Sequence, residues 1–131
     1  MSFEKLRVYQ AAQELRREVD KLREHLDPRP EFQALFIHVV DAVDSISNNI
    51  AEGAESIYPG KQKAYYDIAA GSSKEARSGL RSLSERRAFG AASAFRAIVL
   101  SLAISKLLAA LIDRLGDHIH PSPIRSSRPS S

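Results

Sequence analysis

The sequence predicts an all-α protein folded as an antiparallel up-down-up-down four-helix bundle. Three observations carry this. Apolar residues recur at spacings of three and four through four separate segments. Proline-bearing breaks at Asp27–Pro30 and Tyr58–Gly60 leave short links, and short links set successive helices side by side and antiparallel. The composition, 44% hydrophobic and 27% charged over 131 residues, suits one globular domain with a real core.

The first segment covers residues 4–26. Val8, Ala12, Leu15, Val19, Leu22 and Leu26 make a strip down one face, widened by Leu6 and Tyr9. Most charged residues lie off it. Asp27-Pro28-Arg29-Pro30 then stops the helix, because proline lacks an amide donor and restricts its predecessor.

The second segment covers residues 32–57, with Phe32, Leu35, Phe36, Val39, Val43, Ile46 and Ile50 on one broad face. β-branched residues are frequent, yet a stretch this long without strict alternation is not an ordinary strand. Gly53 is a place where the helix could loosen or end, and Tyr58-Pro59-Gly60 marks a turn.

The third segment covers residues 61–87, where Tyr65, Ile68, Ser72, Leu80 and Leu83 alternate with alanines. Small residues at Ala69, Ala70, Gly71 and Gly79 point to a close helix crossing; the alternative is plain weakening, about 1 kcal/mol per interior glycine.

The fourth segment covers residues 91–115 and is apolar around most of its circumference, from Phe95 and Val99 through Leu107, Leu108 and Leu111 to Leu115. A surface helix of a monomer keeps one wet face. The surplus therefore calls for a second partner surface, most simply another copy of the chain, unless this helix is the most central one. Residues 1–116 are expected to form the bundle domain, and 117–131 a disordered tail rich in serine, arginine and proline.

Several function classes lose support. There is no cysteine, hence no disulfide or thiolate ligand. The opening stretch is charged, unlike a signal peptide, and Arg96, Lys106, Asp113 and Arg114 interrupt the most apolar segment, so no membrane span and a cytoplasmic location are expected. No Glu-x-x-His pair occurs. His118 and His120 fall in the expected tail, and His38 borders an apolar face. Asp41 and Asp44 share a face but lack a nucleophile and base around them. No phosphate-binding glycine loop and no serine triad is apparent. The residues advertise no enzyme, no cofactor and no metal.

Two features remain. Small polar residues crowd both 44–53 and 69–75, which an antiparallel hairpin brings together. Asn49, Glu52, Ser72 and Glu75 are the candidates for an internal polar network that fixes register, or else a small ligand site. The net charge is +3, unevenly spread. The second segment holds four acids and no lysine or arginine, whereas Lys74, Arg77, Arg81, Arg86 and Arg87 make a basic stripe on the third. Such a stripe can neutralise phosphates without reading bases; its bland alternative is a solvated face with helix–helix ion pairs.

The run Asp44–Gly53, DSISNNIAEG, resembles the SI-x-x-N-I-A-E-G signature of the four helix bundle proteins related to the 23S rRNA intervening-sequence protein (S23 ribosomal protein) family. Phe3–Leu15, FEKLRVYQAAQEL, is similar to the family's opening, and Tyr65–Leu80, YYDIAAGSSKEARSGL, to its F-x-x-x-A-x-G-S-x-x-E segment. Together these cover Phe3 to about Leu115. The chain departs from the pattern at Ile37–Ala42 and at Arg86–Ser93. The resemblance implies an up-down-up-down bundle and a homo-oligomeric ring, typically a homopentamer. It also implies a link to RNA or DNA. Some similar proteins are accessory proteins of diversity-generating retroelements and bind a reverse transcriptase as well as nucleic acid.

Overall fold

The computed structural model describes residues 6–90 and 92–119. Four helices account for nearly all of them: α1 (Arg7–Leu22, followed by a 3₁₀ turn at Arg23–His25), α2 (Pro30–Glu55), α3 (Pro59–Glu85) and α4 (Phe95–Ile119). The all-α four-helix bundle is as the periodicity requires. Two starts differ from expectation for one reason. Pro30 and Pro59 open α2 and α3 instead of standing in the links, because a residue in the first helical turn has no use for its amide proton and proline's fixed φ is already helical.

Each helix buries one stripe. In α1 it is Val8, Ala12, Leu15, Val19 and Leu22. Phe36, Ile46 and Ile50 of α2, Leu80 and Leu83 of α3, and Ile104 and Leu108 of α4 close the core around Leu15. α1 packs on α2, α2 on α3, α3 on α4, and α4 back on α1, while the backbones of the diagonal pairs stay farther apart. The cross-section is a square with α2 and α4 at opposite corners.

The α2–α3 seam is the tightest. A Cβ on Gly53 would stand 2.7 Å from Tyr66 Cε1, and one on Gly79 2.5 Å from Val39 Cγ2. The close crossing anticipated at Gly79 is therefore present. Gly71, grouped with it on sequence grounds, faces open space. Gly53 continues α2 instead of ending it, because its missing side chain is the room Tyr66 occupies.

α3 ends in a Schellman motif. The Ala88 N–H donates to the Leu83 carbonyl at 2.9 Å and the Arg87 N–H to the Ser84 carbonyl at 3.0 Å. Arg87 occupies the position usually held by glycine, with φ 60. The Asp27 N–H donates to the Ala88 carbonyl at 2.7 Å, tying the α1–α2 link to the α3–α4 link at one end of the bundle.

α4 begins at Phe95, later than the expected residue 91, after a turn closed by Ser93 N–H to the Gly90 carbonyl at 2.9 Å. It runs through Ile119, so residues 117–119 of the expected tail are helical; 120–131 lie outside the described residues. Ala94, Ala97, Ser101, Ile104 and Leu108 face inward. On the other side Phe95 is 69% exposed, Val99 46% and Leu102 38%. The helix is therefore not the central one of the monomer. By length and composition alone Phe95–Asp117 is apolar enough to cross a membrane, and little of it is buried.

Candidate nucleic-acid interface

Serines decide how α3 meets its two neighbours. Toward α2, the Ser72 hydroxyl donates to Ser45 Oγ at 2.8 Å, and Asn49 Nδ2 donates to the Ser45 carbonyl at 2.8 Å and to its Oγ at 3.1 Å. Asn49 and Ser72 are thus joined through Ser45. Ser45 and Asn49 are half-buried, so the group sits at the rim of the seam and not inside the bundle. Glu52 and Glu75 stand outside it, both exposed. The helix turn explains why: three residues past Ser72, Glu75 is rotated by about 60° toward solvent, where it borders a shallow groove with His38 and Ser82.

Toward α4 a second chain of hydrogen bonds forms. Ser73 and Ser101 are fully buried. Ser73 Oγ donates to the Ser101 carbonyl at 2.8 Å, so its 3.0 Å contact with Ser105 Oγ must be donated by Ser105. Arg77 Nη1 completes the chain, donating to Ser105 Oγ at 3.1 Å and, at 3.4 Å, to Ser101 Oγ. The Ser101 hydroxyl passes its own proton back to the Ile98 carbonyl at 2.7 Å. Each of the three hydroxyls has an acceptor, and aligned dipoles of this kind reinforce one another. Ser101 and Ser105, one turn apart in an apolar helix, were the signal in the sequence that this network existed. Ser47 is the exception among buried hydroxyls: its Oγ has no partner among the described residues.

Arg77 is therefore half-buried and positioned by α4, whereas Lys74 and Arg81 on the same stripe are exposed. With Ser78, Ser82 and Glu85 these three cations line an open groove along α3. Arg86 caps the helix and Arg87 follows it, both exposed.

The density of its cations separates this face from the rest. Around α1 several cations are matched, Arg16 with Asp44, Arg96 with Glu14 and, at 3.5 Å, with Glu18, and Lys21 with Glu18 at 2.9 Å, while Arg7 and Arg17 join no ion pair among the described residues. Arg29 reaches Asp27 at 3.2 Å, and hydrogen bonds from the Arg29 backbone and side chain lower the Asp27 pKa. Among the described residues Lys74, Arg77, Arg81, Arg86 and Arg87 join no such pair. Five positive charges lie along fourteen residues of α3 and its cap, with only Glu75 and Glu85 nearby in sequence. Such a face attracts anions, and its helix-long shape suits a row of phosphates better than one compact anion.

Among the described residues no group of three or more His, Cys, Asp or Glu side chains is placed to hold a metal ion. Burial raises the Tyr66 pKa above the ordinary tyrosine value.

No curated protein matches the chain. A family model described as 23S rRNA-intervening sequence protein matches residues 4–110.

Proposed function

Since the chain belongs to the 23S rRNA-intervening sequence protein family, we propose that it is a non-enzymatic helical bundle that assembles with copies of itself and binds the phosphate backbone of RNA or DNA along α3. The observation that carries this is the dense run of exposed cations Lys74, Arg81, Arg86 and Arg87, which join no ion pair among the described residues. Arg77, locked by Ser101 and Ser105, gives the stripe a fixed anchor.

Self-association multiplies the effect, since each copy adds its own +3. The family resemblance favours a ring of five. It also offers an accessory role beside a reverse transcriptase. Aromatic side chains are few on this face, so binding is to backbone and weakly selective for sequence.

The test is salt. Four exposed cations per copy give a slope of log K against log salt of about −3 on single strands. Gln at Lys74, Arg81, Arg86 and Arg87 together should remove binding and leave the helical signal intact. Binding that survives this variant, or none at low salt with the assembly intact, rejects the reading. The second outcome favours a protein-interaction module with no nucleic-acid partner, a role the bare face of Phe95, Val99 and Leu102 would fit.

A further inference from the structure

We propose that the cations of α3 and the bare apolar row of α4 form one surface, and that it takes single-stranded nucleic acid, phosphates along α3 and unpaired bases against α4. This rests on the phosphate binding just proposed. It adds the form of nucleic acid and the second helix that meets it.

The two rows share a face of the bundle. Arg77 reaches Ser101 and Ser105, so the basic stripe lies on the α4 side of α3. On α4, Ser105 marks the side toward α3, and Arg96, paired with Glu14 and Glu18, marks the side toward α1. At about 100° per residue, Phe95, Val99 and Leu102 fall on the Ser105 side of the outer surface.

The rows also stand at equal heights. Ser73 bonds to the Ser101 carbonyl and to Ser105 Oγ, which sets it midway between those two positions. The short link after Arg86 turns α4 back along α3, so the count runs in opposite directions on the two helices. Lys74 then stands level with Leu102, Arg77 with Val99 and Arg81 with Phe95. Among the described residues no carboxylate comes between them. Residues 95–106 hold no acid, and Glu75 turns to the other side of α3, where it borders His38. Glu85 lies one turn beyond Arg81.

The fitting ligand carries a row of anions beside a row of flat apolar groups. A single strand has phosphates on one edge and open base faces on the other. Phe95 offers one base a ring to stack on, and Val99 and Leu102 cover its neighbours. A duplex turns its base faces against each other and would leave the α4 row bare. An anionic bilayer fits less well. Sinking Val99 below the headgroups would carry in Arg77, which the α4 serines hold at the same height. Copies of the chain then meet through other faces of the bundle, and Phe95 stays open in the free assembly.

The chain has no tryptophan, so Phe95→Trp adds a single fluorophore at an exposed position. Its emission should be quenched by acrylamide in the free protein and by oligothymidylate on binding. Wild type should hold oligothymidylate more tightly than a duplex of equal length. Phe95→Ala should weaken oligothymidylate binding about 5- to 150-fold, the range of one lost base stack, with the helical signal and the salt slope unchanged. Wild type that binds neither nucleic acid at low salt overturns this inference together with the phosphate reading beneath it. Binding of oligothymidylate that the four-glutamine variant loses and Phe95→Ala keeps, or tighter binding of the duplex, overturns the inference alone. So does a Phe95→Trp fluorophore shielded from acrylamide before any ligand is added, the sign of a second copy on this face. One shifted to the blue by phosphatidylglycerol vesicles and untouched by oligothymidylate overturns it in favour of a membrane.

Discussion

Val39 Cγ2 lies 2.5 Å from the place a Cβ on Gly79 would take. Two backbones approach there because one residue has no side chain. Gly79→Ala should therefore force Val39 aside. Overpacking costs about 1–3 kcal/mol and alanine returns about 1 kcal/mol in helix propensity, for a net loss of up to about 2 kcal/mol. Gly71→Ala, made where nothing lies within 4 Å, should gain up to about 1 kcal/mol. Urea unfolding of the two variants checks the contrast.

Tyr66 sets an alkaline limit. Burial raises its pKa above the ordinary 10.0. The unfolded chain therefore loses the phenol proton first, and stability is unchanged by this group below the unfolded value and falls as pH rises past it. Tyr66→Phe should flatten that decline without altering stability at neutral pH by much. Midpoints measured from pH 8 to 11 decide it; an undiminished alkaline decline in the phenylalanine variant would count against the assignment.

Arg87 holds a left-handed conformation, φ 60, that glycine adopts without strain. Arg87→Gly should stabilise the α3 cap by about 1 kcal/mol. The same change should lower the salt slope of nucleic-acid binding by about 0.7. Thermal unfolding and a salt titration move in opposite senses if the arginine is kept for its charge.

Ser47 buries a hydroxyl with no partner among the described residues. Removing an unsatisfied donor and gaining an alanine in a helix both favour the folded state. Ser47→Ala should raise stability by about 1 kcal/mol.

Arg77 and Arg81 share a stripe but not a role. Arg77→Gln removes a donor from Ser101 and Ser105 and should cost about 1 kcal/mol. Arg81→Gln, on an exposed residue in no ion pair, should stay within about 0.5 kcal/mol. Equal effects on stability would show that the α4 serines do not hold the guanidinium.

Much of the fold was legible because periodicity is a direct imprint of burial. Val8, Ala12, Leu15, Val19 and Leu22 were named from spacing and are the buried stripe of α1. Helix ends were less legible. Pro30 and Pro59 look the same in sequence whether they stop one helix or start the next, and only the geometry of the first turn decides. Glycines were read in both directions wrongly and rightly: Gly79 marks a crossing, Gly71 does not, and Gly53 fits a tyrosine that lies 13 residues on. The polar group was half legible. Asn49 and Ser72 meet, but a spacing rule does not say that Ser45 joins them, nor that Glu52 and Glu75 turn outward. The serine chain behind Arg77 depends on α3 and α4 meeting at one height, which no local pattern encodes.

The seam between α2 and α3 also has a kinetic side. These two helices are neighbours in sequence, joined by three residues, and fit side chains of one against glycines of the other at Gly53 and Gly79. Closing so short a loop is fast, and its reward is immediate. The hairpin is therefore the natural nucleus, with α1 and α4 condensing onto it afterwards. Gly79→Ala should then slow refolding more than it speeds unfolding, whereas a truncation such as Leu15→Ala in α1 should act chiefly on the unfolding rate.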